Sequence, residues 1–218
     1  MILTVATTNP GKIREIRQLL AGLPVTLQTL TDFPSVPAPE ESGATFAENA
    51  RQKALYYAPT TGGMTVAEDS GLEIDAMGGA PGVQSARFGG EDSTYPEKFR
   101  LIYRALADAG VDTSAARFVC ALAVAQDGQV VFEARGVVEG AIAPEPRGTG
   151  GFGYDPIFFY EPFGCTLAEA GDRKGTVSHR GQAFRQLRQW LEAIDVRRGG
   201  SSDPPLAVGS KDPTLRQP

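Results

Sequence analysis

Two apolar runs, Ala116 to Ala125 and Gln129 to Val138, flank Asp127-Gly128. Asp-Gly between extended apolar segments marks a tight antiparallel hairpin, because its turn residues must accept positive φ. The remaining chain supplies strands to pair with this hairpin and helices to cover it. Ile2 to Ala6 reads as a buried strand, and Thr7-Thr8-Asn9-Pro10-Gly11 as a turn. A helix opens at Lys12 with Ile13, Ile16, Leu19 and Leu20 on one face and stops at Gly22. Val25 to Leu30 reads as a second strand, and Thr45-Phe46-Ala47-Glu48 as a capping box starting a helix through about Ala58. Met64 to Glu68 reads as a short strand that Asp69-Ser70-Gly71 interrupts, with Leu72 to Met77 extended beyond it. Phe99, Ile102, Tyr103 and Leu106 mark a helix, Ile157 to Tyr160 a strand, and Ser178 to about Ile194 a last helix. The expected fold is α/β: a long, mixed, twisted sheet with helices on its faces and a central substrate cleft.

No repeat or linker divides the body of the chain, so residues 1–198 read as one domain with two lobes around the cleft. The polar, Pro-rich stretch 199–218 reads as a disordered C-terminal tail. A net charge of −5 argues against general binding to nucleic-acid backbone. No apolar run reaches the roughly 20 residues of a membrane helix. The first residues form no signal peptide, so a cytoplasmic location is expected. With one histidine and two distant cysteines, a zinc motif or multi-histidine site is ruled out. Any working metal would be a hard cation on carboxylates, Mg²⁺ or Mn²⁺.

Four constellations carry chemistry. Gly148-Thr149-Gly150-Gly151-Phe152-Gly153-Tyr154-Asp155 combines close-approach backbone, an aromatic ring and a carboxylate, which suits a small ligand such as a nucleotide. It matches the spacing of a dinucleotide fingerprint, but Pro144-Glu145-Pro146 precedes it and Pro156 and a strand follow, so the strand-to-helix context is missing. A glycine-rich turn between strands is the plainer alternative. Thr7 to Lys12 surrounds a helix N-terminus with hydroxyls, an amide and an ammonium, a ready anion site, unless Asn9 only caps the helix and Lys12 is solvated. Glu68-Asp69-Ser70-Gly71 offers acids that, with Glu40-Glu41, would hold Mg²⁺ or supply a general base; a polar surface turn is the alternative. Near Lys174, Ser178 as a cap places His179 and Arg180 in a first helical turn, where the dipole opposes cations, which points to a ligand there; a solvated or capping histidine is the plainer alternative.

Taken together these pieces resemble the inosine/xanthosine triphosphate pyrophosphatase family. Its bacterial members read Thr-Gly-Asn-x-Gly-Lys, Glu-Glu-Thr-Gly-x-Thr-Phe-x-Glu-Asn-Ala, Asp-Asp-Ser-Gly-Leu, Gly-Gly-Ala-Pro-Gly, Gly-Thr-Gly-Gly-Phe-Gly-Tyr-Asp-Pro-Ile-Phe and Ser-His-Arg-Gly-x-Ala. This chain follows them in order at 7–12, 40–50, 68–72, 78–82, 148–158 and 178–183, with departures that include Thr8, where Gly is common, and Glu68, where Asp is common. The resemblance implies hydrolysis of ITP, dITP and XTP to the monophosphate and pyrophosphate. It implies Asp69 as proton acceptor, Glu40 and Asp69 on Mg²⁺ (Mn²⁺ substituting), and Glu41 as a further candidate ligand. Substrate contacts are implied for Thr7, Thr8, Asn9, Pro10, Gly11, Lys12, Ser70, Phe152, Gly153, Tyr154, Asp155, Lys174, His179 and Arg180. A homodimer acting on a purine nucleoside triphosphate, with no nucleic acid or membrane partner, is implied as well. Two other readings of the same pocket are a non-catalytic nucleotide sensor and a pyrophosphatase for modified pyrimidines.

Overall fold

Seven strands form one sheet in the order β2-β1-β3-β4-β5-β6-β7 in the computed structural model, which describes residues 1–199. β1 (Ile2–Val5) pairs in parallel with β2 (Thr26–Thr29) and with β3 (Met64–Ile74). β3, β4 (Ala115–Gln126), β5 (Gln129–Ile142), β6 (Phe158–Tyr160) and β7 (Cys165–Thr166) then pair antiparallel in succession. The Asp127-Gly128 turn has positive φ at both residues, as a primed hairpin requires, and joins β4 to β5. The expected α/β fold with a mixed sheet is observed.

Strand alternation sorts β4 into two faces. Cys120, Leu122 and Val124 pack with Leu3, Val66 and the helices α1 (Pro10–Leu19) and α5 (His179–Gly199), through Ile16, Phe184, Leu187 and Leu191. Val119, Ala121, Ala123 and Ala125 pack on the other face against α2 (Phe46–Thr61), through Ala50, Ala54 and Tyr57. Alanine on both sides of that contact lets helix and sheet approach closely. A second lobe gathers Leu72, Ile74, Phe118, Phe158 and Tyr154 around α3 (Tyr95–Asp108) and its Phe99, Ile102 and Leu106. The one-turn helix α4 (Lys174–Val177) leads into α5.

Three local expectations change. Asp69-Ser70-Gly71 does not interrupt a strand: β3 runs unbroken, because these residues keep their ladder partners Ala121, Cys120 and Val119 in β4. The first helix begins at Pro10 rather than Lys12, with Asn9 as its cap and proline at its first position, where a missing N–H costs nothing. The last helix continues to Gly199, and the remainder of the expected tail, 200–218, lies outside the described residues.

β1 ends at Val5 opposite Val66, whereas β3 continues to Ile74. Beyond Val66, β3 is therefore unpaired by strand on its β1 side. This opening is the cleft, lined on the β3 side by Glu68 and Ser70.

Candidate functional site

Glu68 and Asp69 are adjacent, so strand alternation sends them to opposite faces. Asp69 faces α2. Its Oδ2 accepts from Asn49 Nδ2 at 3.1 Å and its Oδ1 from Lys53 Nζ at 3.0 Å. Asn49 and Lys53 are four residues apart on α2 and therefore share a face. Lys53 Nζ also donates to Glu41 Oε1 at 2.9 Å, and Glu41 Oε2 accepts from Arg87 Nη1 at 2.9 Å. Burial works to raise the Glu41 carboxyl, but Lys53 and then Arg87 hold it below its ordinary value. Burial works to lower Lys53, and the charges of Asp69 and Glu41 outweigh it, so the ammonium is retained. Glu40 is exposed and has no ion pair or hydrogen bond among the described residues. The structure thus groups Glu41, not Glu40, with Asp69.

Glu68 faces α5 and is 3% exposed at its side chain. It accepts from Lys12 Nζ at 2.9 Å, from Arg180 Nε at 3.1 Å and from Cys120 Sγ at 3.0 Å. Burial alone would raise its carboxyl, but Arg180, Lys12 and the thiol hold it well below the usual carboxylate range. Burial and the Glu68 charge push the Cys120 thiol well up, so it stays protonated and donates. Glu68 and Asp69 consequently do not converge on one metal, as the adjacent acids suggested.

At the start of α1, Asn9 Oδ1 accepts from Gly11 N at 2.9 Å and Lys12 N at 3.1 Å, and Thr7 Oγ1 accepts from Asn9 N at 3.2 Å. Asn9 does cap the helix. Lys12, however, is not a solvated bystander, because Glu68 fixes it. Thr7, Thr8, Lys12, Glu41, Lys53 and Glu68 line one cavity of about 620 Å³.

A second cavity, about 210 Å³, is lined by Asn9, Lys12, Ser70, Phe152, Gly153, Tyr154, Asp155, Lys174, His179 and Arg180. Lys12 belongs to both. The Lys174 ammonium lies 4.6 Å from the centre of the Phe152 ring, and the Arg180 guanidinium 5.6 Å. Asp155 Oδ2 accepts from Lys174 Nζ at 2.6 Å and Phe152 N at 2.8 Å, while burial pushes its carboxyl up in spite of the lysine. Tyr154 is a strut rather than an open contact: its hydroxyl donates to Ser85 O at 2.8 Å and its ring sits edge-on to Tyr95.

His179 and Arg180 avoid the electrostatic cost expected of two cations in a first helical turn. His179 stacks on Phe118 with ring centres 4.9 Å apart, and burial, then the neighbouring Arg180, drive its pKa well down, so the imidazole is neutral. Its buried Nδ1 has no hydrogen-bond partner among the described residues. Arg180 is 2% exposed and compensated by Glu68, by Glu15 Oε2 at 2.8 Å from Nη1, and by Ser70 Oγ at 3.1 Å from Nη2. These bonds use three of the five guanidinium N–H groups, leaving two spare. Ser178 caps α5 by accepting from Gly181 N at 2.9 Å.

Lys53, Arg87 and Glu15 lie outside the motifs, and Asn49, inside one, was given no role. The available signal was the four-residue step from Asn49, inside a quoted motif, to Lys53 on the same helix face.

Fold and cleft define an α/β protein in which Lys12, in the first turn of α1, lines both a cavity bearing Glu41 and Lys53 and an aromatic cavity bearing Phe152, His179 and Arg180. Residues 3–190 match the Ham1 family model. The chain belongs to the Ham1 family. It is 43% identical to the dITP/XTP pyrophosphatase of Syntrophobacter fumaroxidans over 229 aligned residues, covering 100% of this chain and 97% of the relative. With the dITP/XTP pyrophosphatase of Geobacter sulfurreducens it shares 45% identity, covering 87% and 96%. Among solved structures, a HAM1 protein from Coxiella burnetii superposes with a TM-score of 0.82 at 41% identity, covering 88% of this chain and 99% of that one.

Proposed function

We propose that the chain hydrolyses deaminated purine nucleoside triphosphates, ITP, dITP and XTP, to the monophosphate and pyrophosphate. The observation that carries this reading is Lys12, which lines both the cavity of Glu41 and Lys53, whose ammonium pairs with Asp69, and the aromatic cavity of His179 and Arg180. One ligand with an anionic end and a flat end spans the two. The names of the relatives support the substrate class.

The donor set fits Mg²⁺. Glu41 Oε1 and Asp69 Oδ1 already share one cation, the Lys53 ammonium, at 2.9 and 3.0 Å. No group of three His, Cys, Asp or Glu residues suited to a metal occurs among the described residues, so substrate phosphate oxygens and water would complete the shell. Mg²⁺ (or Mn²⁺) on Glu41 and Asp69 would supply charge neutralisation at the phosphates. Asp69 takes the proton of the attacking water, oriented by Asn49 and Lys53. Lys12 and the N-terminus of α1 bind phosphate.

At the other end, Phe152 offers a ring for the base. The neutral His179 and the spare Arg180 N–H groups donate to the C6 keto oxygen. Adenine presents an amino donor at that position and leaves those donors unpaired, the situation in which a polar site rejects an analogue most strongly. The homodimer implied by the resemblance and the expected cytoplasmic setting belong to the same proposal. No described helix is long and apolar enough to cross a membrane.

Hydrolysis of ITP in ¹⁸O-water tests the reaction. Attack at the α-phosphorus gives pyrophosphate and labelled IMP. Release of orthophosphate with IDP would replace this reading with a phosphohydrolase, and binding without product would replace it with a nucleotide sensor.

A further inference from the structure

Two cations from different helices, Lys12 of α1 and Arg180 of α5, converge on one buried oxygen. Glu68 Oε1 accepts from Lys12 Nζ at 2.9 Å and from Arg180 Nε at 3.1 Å, while Oε2 accepts the Cys120 thiol at 3.0 Å. Lys12 lines both cavities, whereas Arg180 lines only the aromatic one. The Lys12 side chain keeps 22% exposure, whereas Arg180 and Glu68 keep 2% and 3%, so Lys12 is the partner free to leave. A phosphate that draws Lys12 away leaves the Glu68 charge to Arg180 and Cys120 alone, and an undercompensated buried carboxylate is costly.

We propose that Glu68 is a specificity-determining positioning residue that makes the grip of Lys12 on the triphosphate conditional on a keto purine at Arg180. This rests on the reading that the base lies at Arg180 and the phosphates at Lys12. A keto oxygen accepting the spare Arg180 N–H groups anchors the guanidinium where its Nε compensates Glu68. Lys12 is then released to phosphate at low cost. An amino purine presents a donor to those N–H groups and displaces the guanidinium from Glu68. Glu68 then retains Lys12, and the triphosphate is held poorly. Base recognition and phosphate affinity are thereby coupled, and the coupling is reciprocal.

Glu68→Gln removes the anion for which Lys12 is contested. Inorganic tripolyphosphate, which has no base, should then bind more tightly by calorimetry than it binds the wild type. ATP affinity should rise as well, and the ITP/ATP ratio of kcat/KM should shrink about ten-fold, the scale of one charge-assisted hydrogen bond. A purely structural role for Glu68 lowers the melting temperature but moves neither tripolyphosphate affinity upward nor the ratio downward, and that result overturns the proposal. If Glu68→Gln does not fold, Cys120→Ser and Cys120→Ala decide. They leave similar volume, but only serine keeps a donor on Oε2. Alanine should make Glu68 depend more on Lys12 and bind tripolyphosphate more weakly than serine does; equal affinities overturn the proposal. Tripolyphosphate binding involves no purine, so these arms stand even if the wild type fails to turn over ITP, a failure that would strike the substrate reading instead.

Discussion

Asp69 and His179 show how neighbouring chemistry is set residue by residue. Asp69 accepts from a neutral amide and a retained ammonium, so Asp69→Asn keeps the shape but gives up one of these two hydrogen bonds together with the proton acceptor. Turnover of ITP should fall about 10²–10⁴-fold with nucleotide binding largely intact. A variant that keeps half its activity removes Asp69 from the mechanism. His179 is the single histidine and is buried neutral, with a folded pKa well below the ordinary value. The unfolded chain takes up a proton near pH 6.5 that the folded state refuses. Stability therefore falls as pH drops below about 6.5, by up to about 1.4 kcal/mol per pH unit from this group. Glu68 has a depressed folded pKa, so its contribution is lost only at lower pH, below the ordinary carboxylate range. Denaturant unfolding at pH 7.5, 6.5 and 5.5 should show the decline in the wild type and a flatter profile in His179→Gln. Parallel profiles would mean that His179 is protonated in the fold.

The motif residues Asp69, Lys12, His179 and Arg180 were legible because turns, acids and a helix start announce themselves in sequence. Lys53 and Glu15 were not, since a lysine or glutamate inside an amphipathic helix looks solvated until a distant carboxylate or guanidinium arrives beside it.

At the scale of elements, helix α2 and the contact of α5 on β5 carry the site. The capping box on α2 was readable, and both halves form: Thr45 Oγ1 accepts from Glu48 N, and Glu48 Oε2 from Thr45 N, each at 3.2 Å. Thr45→Ala should cost about 1 kcal/mol of stability. Because that cap lies one turn before Asn49, a small loss of activity should accompany it; a gain in melting temperature would contradict the capping role. Gly136 in β5 was not read as special. A Cβ there would overlap the carbonyl oxygen of His179 and crowd Ala183 N at 2.9 Å, so glycine is what lets the first turn of α5 lie on the strand. Gly136→Ala should destabilise by about 1–3 kcal/mol, as overpacking does, and should depress activity beyond the loss of folded protein by shifting His179 and Arg180. Unchanged kinetics per folded molecule would show that α5 tolerates the shift. The unbroken β3 was illegible for a different reason: Asp, Ser and Gly are poor strand formers, and only the β4 ladder overrides that preference.

For the whole molecule, the hairpin signal predicted a mixed sheet, and the strand–turn–helix at the N-terminus predicted an anion site at its edge. Both follow from local chemistry. What local chemistry does not contain is the mismatch in length between β1 and β3 beyond Val66, which makes the cleft beside Glu68 and Ser70. On the proposed function, this cleft takes a triphosphate at one end and a keto purine without favourable amino contacts at the other. The most direct measurement is pyrophosphate release from ITP, XTP, dITP, GTP, ATP, UTP and dUTP under one set of conditions with Mg²⁺. ITP, dITP and XTP should exceed ATP in kcat/KM by roughly 10⁴-fold, the scale on which a hydrogen-bonding site rejects an unpaired analogue. Comparable rates for ATP, or a preference for UTP or dUTP, would contradict the assignment of His179 and Arg180 to a keto purine.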